Sequence, residues 1–220
     1  MPISSRPAAW RMLFLISGLM MVPGALTHPR GGGMPVMLAD PGWISSHLLM
    51  LGGHVALVAG LLALGQRTSW LRVGVVVAAL QVVEAAFHAA AFVDAHHLQA
   101  GRPTPVLSTH MLLTPLVYPL FALGMIWVIV AAARAGALGS GWIAPLGVAG
   151  VAAHGAAAIV VGVLGHDELG PLFAGIALFG LWCVFASLWP VRARSSAAAP
   201  VPVALATTSV PASGGFGSGV

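Results

Sequence analysis

Six long apolar stretches dominate this sequence, at approximately Ala9–Leu26, Ile44–Leu64, Leu71–Val93, Val106–Ala133, Trp142–Leu164 and Pro171–Trp189. A helix needs about 20 mostly apolar residues to cross the hydrocarbon of a bilayer, rising about 1.5 Å per residue. Backbone amides in lipid must be satisfied within the chain, which leaves only helices and closed barrels as spanning structures. These stretches are too long for barrel strands of about 9–11 residues. Short, turn-rich separators such as GQRTSW, RAGALGSG and GHDELG divide them. The pattern predicts an all-α polytopic integral membrane protein of six transmembrane helices occupying residues 1–190. Only 6% of the chain is charged, against about 25% in soluble domains.

Arginine placement predicts the orientation. Arg6, Arg11, Arg67, Arg72, Arg134, Arg192 and Arg194 fall on one side of the six spans, and Arg30 and Arg102 on the other. Basic loops stay cytoplasmic, so both termini are expected inside, as in a bacterial inner-membrane protein. Asp40, Asp94, Asp167 and Glu168 fall on the outer side. Trp10, Trp70, Trp142 and Trp189 mark an inner aromatic belt, and Trp43 an outer one. The arginines are scattered singly, which gives no nucleic-acid footprint. Residues 191–220 are rich in Ala, Pro, Ser and Gly and read as a disordered cytoplasmic tail. The alternative is a cleaved signal peptide over residues 1–27, which would leave His28 as a copper-binding N-terminus. That run is long for a signal h-region, and threonine is a poor final residue.

With this topology all nine histidines fall on the outer half, and five of them lie inside the spans. Imidazole is costly in lipid unless it is paired, ligated or wet, so intramembrane histidines mark functional sites. Depth sorts them into two layers. His47, His88 and His110 are expected roughly 5–8 Å below the outer boundary, and His54, Glu84 and His154 about 15 Å deep. Segments two to five carry all of these residues and are expected to form the central bundle, flanked by segments one and six.

Several chemistries suit this set. His47, His88 and His110, with Glu84 as ligand or orienting acid, suit a copper or zinc site. His54 beside Gly52 and Gly53, and His154 beside Gly155, suit the axial ligands of a single b-type haem. Two haems on a two-sided plan are disfavoured, because His47 and His54 are only about 10 Å apart along one helix. On these histidines alone, the chain loosely resembles polytopic b-type cytochromes and copper-handling membrane proteins. Redox chemistry or metal handling is the function expected. A proton-coupled or pH-responsive transporter using Glu84–His88 is the alternative. A third possibility is a structural subunit of a membrane complex whose histidines only tie helices together. The expected partners are the lipid bilayer and other membrane subunits, not nucleic acid.

Overall fold

The computed structural model describes residues 7–31, 33–65, 68–138 and 141–189. The expected tail, and Arg6, Arg67, Arg192 and Arg194, lie outside the described residues. Within them the chain is helical, with no strand. The long helices are α1 (Pro7–Leu26), α3 (Gly42–Leu64), α4 (Ser69–Ala90), α6 (Pro105–Ala135), α7 (Ala144–Val160) and α8 (Gly175–Leu188). Two short ones, α2 (Gly33–Ala39) and α5 (Ala95–Gln99), lie in the loops before α3 and before α6. Five segments are long and apolar enough to cross a membrane, while α7 has only 17 residues. Segment three ends in a 3₁₀ turn over Ala91–Asp94, and segment six begins as one over Asp167–Ala174.

Local chemistry explains the ends. Pro105 opens α6, where its missing N–H costs nothing, and the helix continues through Pro115 and Pro119. It stops at Gly136, whose φ of 64° is open to glycine, and the Ala137 and Gly136 amides close back onto the Ala132 and Ala133 carbonyls.

The six long helices pack as a closed ring in the order α1, α3, α4, α6, α7, α8, with α8 returning to α1. This corrects the expected arrangement. Segments one and six do not flank a bundle of segments two to five; α1 packs extensively on both α3 and α8. Phe14, Leu57, Leu61, Phe121, Met125, Phe179 and Trp182 fill the interior. Leu112, Leu116, Leu120 and Leu123 of α6 point outward and are 52–68% exposed, which leaves an apolar exterior suited to lipid. Trp10, expected in the inner belt, is instead buried edge-on against Phe14.

Glycine lets backbones touch where the ring is tightest. A Cβ on Gly150 of α7 would stand 2.8 Å from the Gly175 carbonyl oxygen and 2.5 Å from the Phe179 nitrogen. Gly150→Ala must therefore push α7 from α8, and a loss of about 1–3 kcal/mol is expected in thermal denaturation of the detergent-solubilised protein. Gly170→Ala is the control, with nothing within 4 Å of the added carbon.

A smaller apolar cluster closes one end of the ring. Leu38, Trp43, Ala91 and Leu107 form its centre, with Met34 and Met37 of α2 packed against it. Asp94 ties this cap to α6 by accepting the Leu107 amide at 2.8 Å.

Candidate functional site

Beneath the cap, side chains from α3, α4 and α6 converge with a loop histidine. His47 Nε2 stands 3.0 Å from His88 Nε2. The rings of His88 and His110 stack at 3.9 Å between centroids. His28, in the loop after α1, lies edge-on to His47 at 4.7 Å. Two triangles of potential metal ligands result, His28–His47–His88 and Glu84–His88–His110, each with its ligand atoms within 4.8 Å of one another. His88 is the corner they share.

The three shallow histidines of the sequence reading therefore do come together. Glu84 corrects the layering, since its carboxylate reaches the shallow group rather than staying with the deep one. Its nearest basic partner is also across a helix boundary. Glu84 Oε1 accepts from His110 Nδ1 at 2.7 Å and from Thr114 Oγ1 at 3.0 Å, while Gln81 Nε2 donates to Oε2 at 3.2 Å. With no solvent exposure, this carboxylate has three donors in place of water. It makes no hydrogen bond to His88, the partner expected four residues along.

Hydrogen bonding assigns the ring tautomers, because a carbonyl or carboxylate can only accept. His28 Nδ1 donates to the Pro29 carbonyl at 2.7 Å, His47 Nδ1 to Trp43 at 2.6 Å and His54 Nδ1 to Met50 at 2.8 Å. His154 Nδ1 donates to Phe173 at 3.3 Å, and His110 to Glu84. Each of these rings thereby keeps Nε2 as its remaining nitrogen. His88 differs, since its Nδ1 meets the Tyr118 hydroxyl at 3.2 Å. The consistent direction runs from Tyr118 O–H to His88 Nδ1, and from His88 Nε2–H to His47 Nε2.

Sequence reasoning missed two participants. His28 looked like one more polar loop residue, yet the loop folds back and partly buries it. Burial pushes its imidazole below the usual range; its bond to the Pro29 carbonyl opposes this and Arg30 adds to it, leaving the neutral form. Trp43 is no belt residue at an interface: it is 1% exposed and stacks on His47 at 4.0 Å. His96, His97 and His166 stay on the surface; His166 pairs only with exposed Glu168, at 3.1 Å.

The deep pair occupies a separate place. His54 and His154 line a cavity of about 20 Å³ that also touches His47, His88 and Tyr118. Tyr118 joins the two levels, its hydroxyl on His88 and its ring stacked on His154 at 4.4 Å. Sites for organic cofactors occupy about 300–1,000 Å³, so this space is much smaller than such a site. Positions of a Cβ on Gly52 and Gly53 meet the side chains of Met20 and Met21, and one on Gly155 meets Ala122. These glycines serve helix contact. No known protein family, curated protein or solved structure matches this chain.

Proposed function

We propose that this protein is a six-span bacterial inner-membrane protein that binds a transition-metal ion in its outer half, for metal handling or redox chemistry. His47, His88, His110 and Glu84 are the ligand set, with His28 joining from the loop. One observation carries the proposal: His28, His47 and His110 commit Nδ1–H to a carbonyl or carboxylate and leave Nε2 as the remaining ring nitrogen, and His88 stands among them with its Nε2 3.0 Å from that of His47. Metal-ligating histidines are oriented in this way, the outer bond setting the tautomer and raising ligand basicity. His47 fits this with its Nδ1–H on the Trp43 carbonyl of its own helix, and His110 with its Nδ1–H on the Glu84 carboxylate.

Imidazole with a single carboxylate favours copper or zinc over magnesium and calcium, which take oxygen. Copper stands highest in the divalent affinity order. Two ligands about 2.0–2.1 Å from a tetrahedral ion are separated by about 3.3 Å, close to the 3.0 Å between His47 and His88. Six crossings are consistent with five long apolar segments and a seventeen-residue α7 at the lower limit of spanning length. The arginine asymmetry supports cytoplasmic termini and an outward-facing site.

The test is cupric copper and zinc loading of metal-stripped protein in detergent without reductant, followed by desalting and elemental analysis. Near-stoichiometric retention is expected from the wild type and little from His47→Ala/His110→Ala. Equal retention by both would overturn the proposal. A second reading, proton transfer, is favoured by the continuous hydrogen-bonded path Tyr118–His88–His47. It becomes the leading one if no metal is held and proton flux into proteoliposomes depends on His88.

A further inference from the structure

The cavity below the His47–His88 pair has an electronic peculiarity. Three buried polar atoms of its lining residues lack any partner: His54 Nε2, His154 Nε2 and Gln81 Oε1. All three are acceptors. His54 and His154 have already committed their Nδ1 protons to the Met50 and Phe173 carbonyls. Gln81 has turned its amide nitrogen to Glu84, so its oxygen points elsewhere. The histidines are 3% and 5% exposed and Gln81 1%, so bulk water does not satisfy them. Leaving such groups bare costs about 1–3 kcal/mol each. A single water, which is all that about 20 Å³ admits, has only two protons to give to three acceptors. A cation takes lone pairs alone, which is what these three atoms offer.

We infer that His54, His154 and Gln81 form a second, deeper metal site, and that its ion is cuprous copper. The donors are neutral, and the penalty for placing an uncompensated charge in a dry interior rises with the square of that charge. A monovalent ion is therefore preferred to zinc or cupric copper. Two imidazoles match a low-coordinate soft ion, and Met50, in the same cavity lining, offers a thioether. Sodium or potassium would find one oxygen only. His47 and His88 of the upper site border the same cavity, but the donors of the deep site are its own, and the upper site's Glu84 carboxylate suits a divalent ion.

The experiment titrates the purified full chain with Cu(I) under ascorbate, against a chromophoric Cu(I) chelator. Two ions per chain are expected for the wild type. One is expected for His54→Ala/His154→Ala and one for His47→Ala/His110→Ala, with two lost when the sets are combined. If the wild type holds one ion that is lost only with His47 and His110, the deep site is overturned while the upper stands. If it is lost only with His54 and His154, the deep site stands and the upper fails. No bound copper in any form overturns both. His54→Gln keeps a neutral polar side chain and is the second variant if the alanine pair does not fold; the same loss of one ion is expected. X-ray absorption of the copper-loaded His47→Ala/His110→Ala protein should show the outer-shell scattering of two imidazoles, and a spectrum without imidazole scattering would overturn the assignment.

Discussion

His88→Ala is expected to abolish metal loading at the upper site, with an affinity loss exceeding about 100-fold, the upper range for changes one shell further out. His88 is the only residue common to both ligand triangles. Removing it separates His28 and His47 from Glu84 and His110 and leaves no complete set on either side. The change also strands two hydrogen-bonding groups, the Tyr118 hydroxyl and His47 Nε2. A stability loss of about 1–3 kcal/mol should accompany it. Loading and melting are therefore measured on the same preparation. Exposed His96→Ala is the comparison and should load like the wild type. Equal loss from His88→Ala and His96→Ala would remove the site from this part of the protein.

Glu84→Ala is expected to be the most destabilising single change, by about 3–5 kcal/mol in the melting of the metal-free protein. The carboxylate is fully buried and accepts from His110, Thr114 and Gln81. Thr114 can fall back on the His110 carbonyl, already 2.9 Å away. His110 Nδ1 keeps only the Thr114 hydroxyl oxygen at 3.2 Å, and the Gln81 amide keeps nothing; a stranded donor in a dry interior carries its full desolvation penalty. Glu84→Gln should recover most of the loss. Its carbonyl oxygen still accepts from His110, and Gln81 can turn over to present its unpartnered Oε1 to the new amide. If Glu84→Ala melts like the wild type, the carboxylate is not the hub of this network.

The spans and the chemistry-bearing residues were legible for one reason: lipid tolerates neither exposed backbone nor stray imidazole, so both stand out in sequence. Which rings meet was less legible. His47, His88 and His110 share a depth, and depth can be counted along a helix. Rotation about the helix axis cannot be counted, because lipid-facing Leu116 and core-facing Phe121 are equally apolar. Glu84 was accordingly assigned to His88, its neighbour on the same helix, when the partner was His110 on the next one. His28 gave no signal, since a loop carries no periodicity to report that it folds inward. Trp43 carried a misleading one, as tryptophan at a span end resembles an interfacial anchor. The packing of α8 against α1 and α7 leaves a trace in the sequence. Gly18 and Gly180 face each other, as do Gly150 and Gly175, and facing small residues mark close helix contact.

Closure of the ring joins the first of the described long helices to the last. α1 leaves the ribosome before α8, yet the groove around its Gly18 is filled by Gly180 and Val184 of α8. His154 is likewise anchored on the carbonyl of Phe173, in the segment leading into α8. Until that segment is inserted, α1 keeps one flank open to lipid and His154 lacks the bond that sets its tautomer. The deep histidine pair is thus completed late, and a nascent chain interrupted after α7 carries every ligand but lacks the carbonyl that orients His154.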